Sequence, residues 1–155
     1  MRRYCLVFGL LLVSLVSAQA GHTPPKIFLR VHVQTTGEGQ SALETTTVTI
    51  QPSGEPVLIR ALPEVSEVNL IGVQQDANVL RLKFDHPGQV ALDAVTAQNQ
   101  GRLLIVMING QVIYSPTIDT EITSGELDIP HPIPAVVVQL LQDVAAKNLR
   151  QANRT

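Results

Sequence analysis

Few residues of this 155-residue chain are placed to do chemistry, and their spacing argues for structure over catalysis. The four histidines are His22, His32, His86 and His131; none has a second ligand at zinc spacing, and no His-x-x-x-His or His-Glu-x-x-His occurs. Asp85 and His86 are adjacent and could form an acid–base pair, but turn neighbours point apart, and Asp85 reads better as an acceptor of backbone N–H groups. A serine nucleophile needs a base and an oxyanion hole. Ser53 and Ser115 instead adjoin Gly54 and Pro116 in turn contexts. Asp119 and Glu121 share a face of an extended segment, where a solvated strand is the simpler reading. Arg102 follows a helix-ending glycine, which suits a cation that satisfies carbonyls at a helix end. No glycine-rich phosphate loop is present. These readings predict no catalytic residue, no cofactor and no metal.

Composition narrows the partners. The only cysteine is Cys5, so neither a disulfide framework nor a thiolate metal site is available. Aromatic residues make up 3% of the chain, too few to stack bases or sugars. Residues 1–20 read as a cleavable signal peptide. Arg2 and Arg3 precede an apolar stretch from Tyr4 to Val16, and Ala18-Gln19-Ala20 is a small-x-small cleavage site. Cleavage leaves residues 21–155 as a single domain, able to bury a core. Without Arg2 and Arg3 the formal charge of −2 becomes −4, which argues against nucleic acid. No stable membrane insertion is expected after cleavage, since no remaining apolar stretch is long enough to span a bilayer. The expected location is the periplasm or the medium.

The elements that would position these residues are legible in periodicity. Ile27 to Thr35 alternates as a half-buried strand, with His32 on its polar face. Thr36 to Ser41 is a loop. Thr45 to Gln51 is a threonine-rich strand; Pro52-Ser53-Gly54 turns it, and Pro56 to Arg60 is extended. Leu62 to Glu67 is predicted to open a short helix with Pro63 at its first position. Val68 to Gln74 and Val79 to Asp85 form two strands about a turn at Asp76-Ala77-Asn78. Asp85 to Gly88 breaks the strand, and Gln89 to Gln100 is helical, with Gly101 in the positive-φ position after it. Leu103 to Ile108 is a strand covered on both faces. Asn109-Gly110 is a strong hairpin signal, Gln111 to Ser115 returns, and Pro116 places that strand at an edge. Thr117 to Ile129 is extended and polar. After the Pro130 to Pro134 run, a helix from Ala135 to about Gln151 carries Val137, Leu140, Leu141, Val144, Ala145 and Leu149 as its apolar stripe. The predicted class is α+β: a mixed or antiparallel sheet with two main helices packed on it.

The run from Thr96 to Gly125 resembles the head part of the large periplasmic domain (P1) of the SecD family. The matching positions are Thr96, Asn99, Gly101, Arg102, Ile105, Gly110, Val112, Ile113, Pro116, Ile118, Ile122 and Gly125, in order and without a gap. The resemblance extends from Val79 to Val144 and into the last helix, to about residue 150. Leu104 stands where the family usually has Ala, and Asn109 where it has Asp. After Gly125 the family's Ile-x-Gly-x-Phe stretch is replaced by Ile129 and the Pro130-His131-Pro132 run. The resemblance implies a SecD-head fold and a polypeptide-handling role, with polypeptide or an envelope protein as partner. SecD's membrane helices and base part have no counterpart in these 155 residues. Three functions are weighed. The first is a polypeptide-binding module using the sheet edge beside Pro116 and the Thr117 to Leu127 segment. The second is a structural or assembly partner of an envelope membrane complex, docking through the stripe of the last helix. The third is a hydrolase, for which no residue set argues.

Overall fold

The computed structural model describes residues 26–38 and 43–154. The expected signal peptide and His22 lie outside the described residues. The described residues form nine strands and two α-helices, the strands in three antiparallel sheets. β1 (Leu29–Val33) lies inside a four-stranded sheet of order β4-β1-β7-β8, pairing with β7 (Leu104–Ile108) through Leu29 opposite Ile108 and Val33 opposite Leu104. β2 (Thr45–Ile50) and β3 (Glu55–Arg60) form a separate hairpin. β5 (Leu70–Asp76), β6 (Val79–Phe84) and β9 (Glu126–Ile129) form the third sheet, with β6 in the middle. This is the expected α+β class, with every strand pair antiparallel.

Alternation along each strand decides which core it feeds. Leu29, Val31 and Val33 share the main core with Leu104, Val106 and Ile108, with Leu80, Leu82 and Phe84 of β6, and with both helices. The opposite face of the four-stranded sheet, through Ile105 and Met107, meets Val57 and Ile59 of the hairpin in a smaller cluster. The sheet is thus covered on both faces, and β7 reads as an unbroken apolar run for that reason. His32, expected on a solvated face, is buried on this second side. The expectation failed because a two-stranded layer covers a face that strand periodicity marks only as polar.

Local signals set the ends of α1 (His86–Gln98) and α2 (Ala135–Ala152). α1 begins three residues before the predicted Gln89. Asp85 caps it, its carboxylate accepting the Gly88 N–H at 2.9 Å, and Pro87 fits the first turn. The sequence Asp85 to Gly88 therefore starts a helix as well as ending a strand. Asn99 closes the helix and Gly101 follows with φ +80°. The tip of the β7–β8 hairpin takes φ +50° at Asn109 and +81° at Gly110, the pair of positive values its two-residue turn requires.

Three further expectations are corrected. Leu62 to Glu67 does not open a helix. Val65–Ser66 is β4, paired with β1, and only Glu67–Asn69 makes a 3-10 turn. Pairing with β1 wins because it buries Val65 to 1% exposure and lets the Glu64 N–H reach the Val31 carbonyl at 2.8 Å. The extended Thr117 to Ile129 segment contains β9, registered on β6 with Leu127 opposite Leu82. On α2, Leu141 and Ala145 are buried as predicted. Val138 joins them, and Leu149 is 45% exposed.

Candidate functional site

Two of the strands with a partner on one side only face each other: β8 (Gln111–Tyr114), opposite β4 at the other edge of the four-stranded sheet, and β9, opposite β5 at the other edge of the three-stranded sheet. Between them opens a cleft of about 440 Å³. Tyr114 and Pro116 border it from the β8 side, Glu126 and Asp128 from the β9 side, and Ile118 and Ile122 line it from the segment that joins them. His131 packs edge-on against Tyr114, ring centroids 6.0 Å apart, so the proline run sits beside the end of β8.

Charge on the β9 wall is internally balanced. Arg81, opposite Asp128 across the strands, donates to both carboxylate oxygens at 2.8 Å. Lys83 and Glu126, the next pair but one, approach to 3.3 Å. The hydrogen bonds from Arg81 hold the Asp128 carboxyl below the usual range, against a smaller opposing effect of burial. Both groups stay ionised at neutral pH, and the ladder joins β9 to β6 on its solvent face.

The predicted motif positions gather beside this cleft as a latch. Thr96 is fully buried. Its hydroxyl donates to the Leu92 carbonyl at 2.8 Å and accepts the Ile122 N–H at 2.9 Å. Asn99 donates to the Val95 carbonyl at 2.8 Å and accepts from Arg102 at 3.3 Å. Arg102 therefore engages a side chain, not the helix carbonyls expected. Its own carbonyl accepts the Ile118 N–H at 2.8 Å, and the Gly101 N–H reaches back to the Ile118 carbonyl at 2.9 Å. The Pro116 carbonyl accepts from Leu104, and Gln89 donates to the Thr123 carbonyl. Gly125, at φ +69°, is so close to α1 that a Cβ there would lie 2.9 Å from Cβ of Gln89. Ile122 packs on the main core. Gly110 stands apart, at the other end of β8 from Pro116. These residues position the joining segment and present no reactive group to solvent.

The remaining candidates have structural settings. Asp85 caps α1 and also accepts from Asn69 at 3.2 Å, while His86 is exposed. The Ser53 hydroxyl closes its turn, donating to the Ile50 carbonyl. Ser115 is half-buried after β8; Asp119 and Glu121 are exposed, and Asp119 borders the cleft. Among the described residues no three His, Cys, Asp or Glu side chains are grouped so as to hold a metal ion, and no helix is long and apolar enough to cross a membrane. Part of the stripe of α2 is seated on the sheet: Leu141 is fully buried, and Asn148 donates to the Glu67 and Leu70 carbonyls at 2.8 Å, fixing the helix on β5.

The β9 edge is the feature that sequence reasoning missed. Its signal was present: Glu126, Leu127, Asp128 and Ile129 alternate with the period of a strand.

The family model of the SecDF P1 head subdomain matches residues 43–130, more than half of the chain. The match takes in the β2–β3 hairpin, which lies before the Val79 start of the sequence resemblance, and stops before α2. A solved structure of SecDF, a membrane component that enhances protein export, has a TM-score of 0.55 and 18% identity, over 78% of this chain and 62% of that one. A crystal structure of SecDF in its super-membrane-facing form gives the same score and identity over 77% of this chain and 18% of that one. No curated protein matches the sequence. The latch, the two sheet edges and the hairpin thus sit in a chain that belongs to the SecDF P1 head subdomain family.

Proposed function

We propose that this chain is a non-catalytic, exported envelope protein, periplasmic or secreted. In this reading it holds extended polypeptide by adding it as a strand at the edge of β8, so assisting protein export or folding. The observation that carries the reading is the pair of one-sided strands, β8 and β9, bordering one cleft. An unpaired edge offers main-chain donors and acceptors to any extended chain, with little dependence on side chains. β8 is short, a bulge interrupts its register between Val106 and Met107, and Pro116 closes it. A guest would pair over only a few residues, so binding should be weak and tolerant of sequence. The Thr117 to Gly125 segment spends much of its backbone on the latch. The guest is therefore assigned to the flanking strands.

Titration of the 15N-labelled protein with unfolded peptides tests this. Amide shifts should gather on Gln111–Tyr114 and Glu126–Ile129. An absence of binding at millimolar peptide, or a stoichiometric metal in the purified protein, would overturn the reading. Export is tested separately: mass spectrometry of the protein from an envelope or culture fraction should find Gly21 first, and an intact Met1 in a membrane fraction would refute cleavage.

A further inference from the structure

A second cleft, of about 580 Å³, opens between the outer face of the four-stranded sheet and the β2–β3 hairpin. Its size falls in the range of small-ligand sites, about 300–1,000 Å³. Phe28, Val48, Ile59 and Met107 give it apolar walls, and Arg30 and His32 of β1 bring nitrogen groups to it. Phe28, 44% exposed, marks the mouth; Ile59 and His32, at 1% and 3%, mark the closed end.

Arg30 stands opposite Met107 in the β1–β7 register and so shares its face. Its guanidinium has no ion-pair or hydrogen-bond partner among the described residues. Arg60 of the facing hairpin, by contrast, is paired with Glu64. An uncompensated guanidinium therefore borders an apolar cleft, and its fork of donors matches a carboxylate. His32 adds an acceptor. Its Nδ1 lies 2.9 Å from the Arg60 carbonyl, which can only accept, so Nδ1 carries the proton and Nε2 offers a lone pair. Nε2 is not sealed in protein, since Gln75 Oε1 is the one buried side-chain nitrogen or oxygen without a partner among the described residues.

We propose that this cleft binds a carboxylate carried on an apolar body. The carboxylate would sit on Arg30, the apolar part against Val48, Ile59 and Met107, and an adjacent hydrogen-bond donor on His32. The last residue of a polypeptide ending in an aliphatic side chain has all three parts, terminal carboxylate, side chain and amide N–H. A free fatty acid has the first two. The site is separate from the β8 edge, so it can fail without touching that proposal.

The test is a titration of the 15N-labelled full chain with N-acetyl-L-leucine, N-acetyl-L-leucine amide and octanoate. N-acetyl-L-leucine should shift the amides of Phe28, His32, Ala61 and Met107. The amide derivative should bind about tenfold or more weakly, as should the acid to Arg30→Gln. Arg30 is exposed, and retained peak dispersion confirms that the variant is folded. Stronger binding of N-acetyl-L-leucine than of octanoate assigns a polypeptide terminus; the reverse order assigns a fatty acid, and both keep the carboxylate on Arg30. The proposal is overturned by equal binding of acid and amide, by unchanged binding to Arg30→Gln, or by no shift at these residues at ligand concentrations on the order of 10 mM.

Discussion

The N–H of Ile122 is held by the hydroxyl of Thr96, 2.9 Å away and 26 residues earlier in the chain. Thr96 is fully buried, so its hydroxyl has little access to water. Removing the hydroxyl with Thr96→Val should leave a donor unsatisfied and cost about 1–3 kcal/mol. Thr96→Ser keeps the acceptor and should lose less. Urea denaturation of the two variants decides this, and equal stabilities would mean that the bond contributes nothing.

Gly125 and Gly110 separate two costs of adding a side chain. Both have positive φ, but a Cβ at Gly110 meets nothing within 4 Å, while one at Gly125 meets Gln89 at 2.9 Å. Gly110→Val should cost about 1 kcal/mol or more, from backbone conformation alone. Gly125→Ala should cost more than Gly110→Ala, because α1 must also move. Thermal melts of the two alanine variants give the order.

Leu141 is fully buried where α2 crosses β5. Leu141→Ala should cost on the order of 2–5 kcal/mol, the range for emptying a packed leucine site. An unchanged denaturation midpoint would mean that α2 is not seated on the sheet as described.

Burial holds the His32 imidazole below its ordinary value of 6.5, with the positive charge of Arg30 adding to it and the hydrogen bond to the Arg60 carbonyl opposing. On acidification the unfolded chain therefore takes up this proton first. Stability should fall as pH drops from 6.5 towards the lower folded value, and this group causes no further loss below that. His32→Asn should flatten the loss between about pH 7.5 and about pH 5.5. Denaturation midpoints at the two pH values test it, and an equal slope in the variant would assign the acid sensitivity elsewhere.

Most of the strands were legible where alternation is clean. Leu80, Leu82 and Phe84 marked one buried face of β6, and Asn109-Gly110 marked the turn of the β7–β8 hairpin. What escaped were features made by distant partners. Val65 becomes a strand because β1 lies beside it, and His32 is buried because the β2–β3 hairpin closes over a face that local pattern labels polar. The motif from Thr96 to Gly125 could be read as a unit before its geometry was known. Its role as a latch could not, because the bonds of Thr96 with Ile122 and of Gly101 with Ile118 depend on how a strand and a helix end are brought together. The cleft at Arg30 was equally invisible, since its two walls are separate layers.

The pairing of β1 with β7 has a consequence for how the molecule is made. Leu29 finds its partner only at Ile108, so the strand at the heart of the four-stranded sheet is born without a neighbour on that side. At ribosomal speed the wait is about 4–16 s. During it the apolar face of Leu29, Val31 and Val33 lacks the Leu104, Val106 and Ile108 part of its core, and such non-local pairing is slow to nucleate. The four-stranded sheet is thus completed only once most of the chain exists.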